Sequence, residues 1–420
     1  MLDWLRRLVD RAPRPWPEGI PQLYPDQPDA DICQVASRPL AASQRHARVV
    51  MVCPLHASSA RPSTVAVGVG ASRVILDGLS RVPGLSVRGP EDTPLGALPV
   101  ARRRMRVHPP ADVIVSGRVL LEPAPRADLV LLWRDRAEQA IPLRATTPER
   151  LLLLILEALA VSLGGRVSPP VRSAWAAAMP PSVKALRTTG ALLVMPSAGN
   201  PQLAALWRKH PAFSVPLHGL RRRSGDADDD CDLLVEACAA CPDDPRLHLM
   251  AFERLWDGRP GQPAALQYLR RALELAPGLG RAWLYAAHAA HPQADRLAFA
   301  EVGYRLLPGD PCATSGYARA LRRQRGSADR CVSIAREGIA ADPYGPGNYE
   351  LAIEGLVEMG RCAEALDLAE RLQRLYEPEI HERTRRRLWQ DPLLRTRLCD
   401  QGWDPAAEVR QRIARIRRRL

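Results

Sequence analysis

The sequence predicts an α+β protein in which a small N-terminal α/β domain precedes an all-α solenoid. Two observations lead to this fold class. Apolar runs rich in β-branched residues, which are typical of buried strands, are confined to residues 48–145. From residue 244 onward, prolines recur at a period of 32 to 35 residues within sequence of helical periodicity. A chain of 420 residues is long enough for such domains to bury separate cores.

The N-terminal segment predicts a short amphipathic helix followed by an extended linker. In residues 1–12, arginines surround one apolar helical face, which is formed by Leu2, Leu5, Leu8 and Val9. Residues 13–47 are dense in proline, which fixes φ and removes a backbone donor, so this segment predicts a linker. The short apolar face favours docking of the helix on its own protein, and contact with a membrane surface is the alternative.

Residues 48–165 predict a small α/β domain. The run RVVMVCPLH at 48–56 is apolar, β-branched and bounded by proline, which indicates a buried strand. Residues 64–84 carry apolar residues at helical spacing and end at a Pro-Gly pair, directly before a second strand at 85–89. The runs ADVIVSGRVLL and ADLVLLWRDR predict two further strands, and QAIPLRA predicts a possible third, before a covering helix at 148–163.

Three stretches of this domain follow a pattern known from other proteins. They are GASRVILDGLSRVPGLSVRGP, ADVIVSGRVLL and LVLLWRDRAEQ. The residues that fit the pattern are Gly70, Leu79, Ser80, Arg81, Pro83, Gly84, Leu85, Ser116, Gly117 and Trp133. The pattern resembles the TolB amino-terminal-like domain, although the segment VAVGVG departs from it. The resemblance implies no catalytic residues; it implies a domain that accompanies repeats or effector domains in bacterial proteins.

Proline follows an acidic residue or alanine at regular intervals in the C-terminal half. The pairs are Asp244-Pro245, Ala276-Pro277, Asp310-Pro311, Asp342-Pro343 and Glu377-Pro378, and the prolines are 32, 34, 32 and 35 residues apart. Small residues such as Ala265 and Ala272 precede a proline, and an aromatic residue such as Trp283 follows it. The pattern resembles at least four tetratricopeptide repeats over residues 226–398. It implies stacked helix pairs, since one pair cannot bury its apolar face alone.

Two helical segments flank the predicted repeats. Residues 166–225 predict a helical connector or cap before the array. Residues 399–420 predict a basic C-terminal helix that contains the stretch RQRIARIRRRL. A solvated terminal helix is the favoured interpretation of this stretch, and contact with an anionic surface or RNA is the alternative.

Composition bears on the partner and on the compartment. The net charge of +13 suggests a polyanion, but only Lys184 and Lys209 are lysines among 59 basic residues, and 40 residues are proline. This bias is typical of a GC-rich bacterial genome, so the charge is weak support for nucleic-acid binding. Nine cysteines without framework spacing favour a reducing compartment. With no signal-peptide pattern, and with the longest apolar run at 151–163 too short to span a bilayer, we expect a soluble cytoplasmic protein.

Two groups of side chains resemble metal ligands. Cys231, Cys238 and Cys241 include a C-x-x-C spacing, but no second pair follows, so cysteines buried in a helix seam are the favoured interpretation. His288 and His291 would share one helical face, but no carboxylate or cysteine pair accompanies them. We therefore predict no metal, no cofactor and no catalytic residues.

The sequence predicts a non-enzymatic adaptor that binds a peptide or helix of another protein in the groove of the helical repeats. The N-terminal α/β domain would be a second docking or sensing module. The first helices of the repeats would supply the contacts, and the candidates are Arg254, Tyr285, His288, Tyr317, Arg319 and Glu350. The alternatives are a nucleic-acid-binding regulator that uses the arginine-rich surface and the C-terminal helix, and a peripheral membrane assembly factor that uses residues 2–12.

Overall fold

The computed structural model describes residues 47–56, 62–89, 111–194, 200–220, 227–256, 263–289, 293–324, 326–377, 380–381, 384 and 404–420. These residues belong to two compact units, which are described separately. The N-terminal unit holds the described residues up to Ala282, and the C-terminal unit holds those from Trp283 onward. The predicted helix over residues 2–12 and all but the end of the predicted linker lie outside the described residues. The predicted domain limits stay predictions.

The N-terminal unit contains a five-stranded mixed sheet in the order β2-β1-β3-β4-β5. The strands are β1 Arg48–Val52, β2 Leu85–Arg88, β3 Val113–Leu120, β4 Arg126–Trp133 and β5 Gln139–Arg144. β1 runs parallel to β2 and β3, whereas β3, β4 and β5 are antiparallel neighbours. Helices follow the sheet along the chain, so the predicted α+β class is confirmed, with about 65% of the described residues helical.

The N-terminal unit also contains eight α-helices and a 3₁₀ helix among its described residues. They are α1 Pro62–Ser80, α2 Pro148–Ser162, α3 Pro169–Ala177, α4 Val183–Val194, α5 Asn200–Lys209, a 3₁₀ helix Val215–Gly219, α6 Ala227–Ala240, α7 Pro245–Leu255 and α8 Pro263–Leu275. The predicted strand and helix order of the α/β domain therefore appears in the structure, with α1 in the crossover between the parallel strands β1 and β2.

The main core lies between one face of the sheet and the helices α1 and α2. Successive side chains of a strand point to opposite faces, so Val50 and Val52 enter this core while Val49 and Cys53 enter a smaller cluster. The apolar run at 151–163 forms α2, a covering helix, and six of its side chains are fully buried: Leu151, Leu152, Ile155, Leu156, Leu159 and Ala160. This burial explains the length and the apolar character of the run.

Glycines allow three close contacts within the N-terminal unit. A Cβ atom on Gly190 of α4 would lie 1.8 Å from the Ala66 carbonyl oxygen of α1, so the two helices cross at a distance that only glycine permits. A Cβ atom on Gly70 of α1 would lie 2.5 Å from the Leu186 carbonyl oxygen of α4. Gly278, in the loop after α8, approaches the edge strand β2 equally closely, since its Cβ would lie 1.8 Å from the Leu85 carbonyl oxygen. The turn after α8 thus rests on the sheet.

The C-terminal unit is built from helices alone among its described residues. The helices are α9 Gly280–Ala289, which starts in the N-terminal unit, α10 Gln293–Leu306, α11 Pro311–Arg322, α12 Ala328–Ala341, α13 Pro346–Glu358, α14 Cys362–Tyr376 and α15 Pro405–Arg417. Successive helices from α10 to α14 pack as hairpins, and α15 packs on α14. This arrangement is compatible with a helical-repeat-like solenoid.

The Asp-Pro pairs at 244 and 310 mark helix starts, whereas Asp342 ends α12 and α13 begins only at Pro346. Asp244 caps α7, because its Oδ1 accepts hydrogen bonds from the backbone N–H groups of Arg246 and Leu247. Asp310 caps α11 by accepting from the N–H of Ala313 at 2.9 Å. In both cases proline occupies the first helical position, where no intrahelical donor is needed. Local capping therefore explains this part of the sequence period.

Candidate functional site

The structure divides the six predicted contact residues between the two units. Arg254 lies on α7 in the N-terminal unit, and the other five lie in the C-terminal unit: Tyr285 and His288 on α9, Tyr317 and Arg319 on α11, and Glu350 on α13. Five of the six are half-buried, which leaves part of each side chain exposed. Tyr317 differs from the others because only 2% of it is exposed.

Tyr317 belongs to the packed interior of the C-terminal unit. Its ring stacks on Tyr304 of α10 with ring centroids 5.1 Å apart, and its hydroxyl accepts a 2.6 Å hydrogen bond from Arg330 Nη2 of α12. Burial raises the pKa of Tyr317, which keeps the phenol neutral. Its position on a first helix suggested an exposed contact, but the side chain joins three helices and its ring is not available to a partner in this structure.

Charged side chains join the first helices of the C-terminal unit. Arg322 Nη1 of α11 forms an ion pair with Glu354 Oε2 of α13, and Arg412 of α15 lies 3.3 Å from the other oxygen of the same carboxylate. The predicted residues Arg319 and Glu350 lie one helical turn before Arg322 and Glu354 respectively. This face therefore alternates in charge from helix to helix.

An open groove of about 790 Å³ lies between α12 and α14, which are the second helices of successive hairpins. Apolar side chains line it, namely Ile339, Ala340, Pro343, Ala363 and Leu368. Charged side chains of both signs complete the lining, namely Arg336, Glu364, Asp367 and Arg371. The sequence-based candidates lie on first helices, so none of them lines this groove.

The charged residues of the groove are held in defined positions. Arg336 Nη2 donates to Glu364 Oε2 at 2.6 Å, and Arg361 donates to both oxygens of the same carboxylate at 2.7 and 2.8 Å. Hydrogen bonds from Arg361 and then Arg336 lower the pKa of Glu364 to about 2, so this wall stays ionised at neutral pH. The guanidinium of Arg371 lies 5.7 Å from the ring centroid of Tyr349.

The basic C-terminal helix α15 is partly neutralised by the helices it contacts. Arg417 Nη2 lies 2.9 Å from Glu370 Oε1 of α14, and Arg410 forms an ion pair with Glu377 at the end of α14. Its apolar face is buried, including Ile413 and Ile416. A basic helix is thus present over Pro405–Arg417, and glutamates of the same chain pair with part of its positive charge.

Four buried charged side chains form a network in the N-terminal unit. Arg81 Nη2 donates to Asp77 Oδ2 at 2.9 Å within α1, and Arg81 Nη1 donates to the Asp243 carbonyl oxygen at 2.8 Å. His218 Nε2 of the 3₁₀ helix lies 2.9 Å from Oδ2 of Asp244, the residue that caps α7. All four side chains are buried, and none is more than 7% exposed: Asp77, Arg81, His218 and Asp244.

Asp77, His218 and Asp244 also have the residue types of a metal site, and one potential ligand atom of each lies within 4.8 Å of the others. Arg81 already places a positive charge there. Its Nη2 lies 3.9 Å from Asp244 Oδ2 and donates a hydrogen bond to Asp77 Oδ2. A metal ion at this position would therefore have to compete with Arg81 for both carboxylates.

The environment of Asp244 favours its charged form. Burial alone would raise its pKa, but the charge and hydrogen bond of His218, the charge of Arg81 and a hydrogen bond from Ser214 hold it far below the ordinary value for aspartate. Sequence reasoning identified Asp244 only as half of an Asp-Pro pair. Its partners come from distant parts of the chain, and no spacing signal connects them.

The three cysteines singled out in the sequence lie on and just after α6. Burial raises the pKa of Cys238 well above its ordinary value and that of Cys241 to about 12. Cys241 Sγ donates to the Pro211 carbonyl oxygen at 3.1 Å. Burial therefore favours the protonated thiol form of both groups at neutral pH. His288 is half-buried on α9, and His291 lies outside the described residues.

No family model and no curated protein matches the chain. Among the described residues, no helix combines the length and apolar character needed to cross a bilayer.

Proposed function

We propose that this protein is a non-enzymatic adaptor that binds a segment of another protein on its helical repeats. In this proposal the hairpins are tetratricopeptide repeats, and the five-stranded sheet with its helices is a TolB amino-terminal-like domain. The observation that carries the proposal is the open groove between α12 and α14, which has apolar lining and charged walls of both signs.

The chemistry of this groove favours a peptide over the alternative ligands. The exposed apolar residues Ala340 and Pro343 offer contacts to apolar side chains, and the walls offer a carboxylate at Asp367 and a guanidinium at Arg371. A phosphate backbone would be repelled by Glu364 and Asp367, and a lipid surface cannot follow a groove between two helices. A peptide that carries apolar side chains and charges of both signs satisfies every part of the groove.

The buried network supports a structural role for the α/β domain within this function. It joins α1 of the sheet domain to the start of α7, the first helix that follows the sequence period. The sheet domain would then close the N-terminal end of the repeats, as terminal caps of solenoids do. A second docking or sensing role for its surface stays a prediction.

The nucleic-acid alternative is weakened at α15, the basic helix on which it mainly depends. Arg410, Arg412 and Arg417 of α15 all pair with glutamates of α13 or α14, so their charges are partly cancelled. The membrane alternative depends on residues 2–12, which lie outside the described residues.

Filling the groove tests the proposal. Ala340 and Ala363 are exposed lining residues, so Ala340→Trp and Ala363→Trp would block the groove without entering the core. We expect full-length protein to retain a discrete protein from lysate at high salt after nuclease treatment, and the two variants to lose most of it. Ser333→Trp adds the same ring to an exposed site on α12 outside the groove, and it should retain the partner.

Two results would overturn the proposal. One is retention that is unchanged by both groove variants, which would show that the groove is not the contact surface. The other is recovery from the native protein that disappears with nuclease or salt, which would favour the nucleic-acid alternative.

A further inference from the structure

The contact between α15 and the preceding hairpin has the form of a helix bound to a docking surface. α15 buries one face along its length, with side chains three or four residues apart: Pro405, Val409, Ile413 and Ile416. Its N-terminus is completed by its own residue Asp404, whose Oδ1 accepts from the N–H of Ala407 at 3.0 Å. The helix is therefore a complete amphipathic unit that packs on α14.

The ion pairs at this contact all have the same polarity. Arginines come from α15 and carboxylates come from the earlier helices, in the pairs Arg410–Glu377, Arg412–Glu354 and Arg417–Glu370. Carboxylates therefore surround the surface that α15 covers, at positions that match one face of a basic helix. Complementary charges of this kind select a partner and its orientation.

Side-chain contacts hold α15 against the preceding hairpin. Residues 342–345 join α12 to α13 and residues 359–361 join α13 to α14, and such short connections force neighbouring helices to pack. By contrast, α15 begins at Pro405, farther along the chain from α14, which ends at Tyr376. Its apolar face packs on α14, and its arginines reach carboxylates of both α13 and the end of α14.

We propose that the surface formed by α14 and the neighbouring part of α13 is a docking site for a basic amphipathic helix of another protein, and that α15 occupies this site in cis as a competitor. None of the carboxylates that pair with α15 lines the groove between α12 and α14, so this inference does not rest on the function proposed above. The carboxylates Glu354, Glu370 and Glu377 exclude a polyanion and an anionic membrane as its occupant.

A peptide of residues 404–420 provides the probe, since it carries the chemistry that the surface is inferred to bind. We expect the labelled peptide to bind saturably to a chain that ends at residue 403, as measured by fluorescence anisotropy. Binding to the intact chain should be at least about tenfold weaker, because α15 leaves the site open only in a small fraction of molecules.

Two altered peptides separate specific docking from general charge attraction. Arg410→Glu, Arg412→Glu and Arg417→Glu together should abolish binding. Arg415→Glu, Arg418→Glu and Arg419→Glu change the charge equally, but these three arginines form no ion pair with the described carboxylates, so this control peptide should still bind. Loss of binding by both peptides alike would overturn the inference.

A second variant covers the case in which the shortened chain does not fold. The intact chain with Arg410→Glu, Arg412→Glu and Arg417→Glu keeps its length and its apolar face, and it should bind the native peptide more tightly than the unaltered chain does. The inference is overturned if neither the chain that ends at residue 403 nor this triple variant binds the peptide, although circular dichroism shows that at least one of them is still helical. A dimer of the intact chain that these three changes dissociate would identify a second copy as the occupant and would also overturn it.

Discussion

Charged residues have opposite environments in the two units. In the N-terminal unit, Asp77, Arg81, His218 and Asp244 meet in the interior, where each is at most 7% exposed. In the C-terminal unit, pairs such as Arg322–Glu354 and Arg336–Glu364 lie at the surface, where the arginines are 41% and 44% exposed. The same residue types are therefore shielded from water in one unit and exposed to it in the other.

The difference teaches which charges hold the fold and which remain available for recognition. A buried charge that loses its partner stays in a medium that cannot solvate it, so a buried network is expensive to break. The two charges of a surface pair are solvated whether or not they are paired, so the pair contributes little to stability. We expect the buried network to fix the position of α7 against the sheet domain, while the surface pairs set specificity between helices.

The largest expected effect is that of Asp244→Ala. It removes the cap of α7 and leaves Arg81 and His218 without a shared carboxylate, so the free energy of unfolding should fall by about 3–5 kcal/mol. Asp310→Ala is the matched control, because Asp310 caps α11 in the same way but contacts no such network, and it should lose only about 1 kcal/mol. Urea denaturation followed by circular dichroism measures both. Equal losses would contradict the comparison.

The second effect is a dependence on pH. The pKa of Asp244 is lower in the folded protein than in the unfolded chain, so its stabilising contribution is present above the unfolded value of about 3.9 and is lost as the pH falls below it. Asp244→Asn removes this titration and keeps a capping side chain. The difference in urea midpoint between native protein and variant should be largest near neutral pH and shrink below about pH 4. A constant difference would show that the charge of Asp244 is not what matters.

The sequence was sufficient where the determining interactions are local. The alternation in β1 and the apolar run of α2 predict their own burial. The Asp-Pro pairs at 244 and 310 act locally, because capping is confined to one turn. The sequence was not sufficient to predict the candidate functional sites. His218 has no sequence signal, since its partner Asp244 becomes a neighbour only in the folded chain.

The same limit applies to the candidate surfaces. The arginines of α15 suggested a polyanion contact, because the sequence does not show that Glu354, Glu370 and Glu377 would face them. Tyr317 shares a helix with Arg319, yet stacking on Tyr304 turns its ring inward. The groove between α12 and α14 depends on how successive hairpins are spaced, which the repeat period alone does not determine.

The smallest expected effect is that of Arg322→Ala, and it sharpens the comparison by its response to salt. The Arg322–Glu354 pair is exposed, so its loss should change the free energy of unfolding by less than about 1 kcal/mol, and high salt should remove most of that change because surface charges are screened. Arg323→Ala, at the next exposed position, forms no ion pair among the described residues and gives the baseline. The effect of Asp244→Ala should persist at the same salt concentration, since ions do not penetrate the interior. A salt-resistant loss at Arg322 comparable to that at Asp244 would mean that the ion pairs of the first helices hold the C-terminal unit together, and the division between structural and recognition charges would fail.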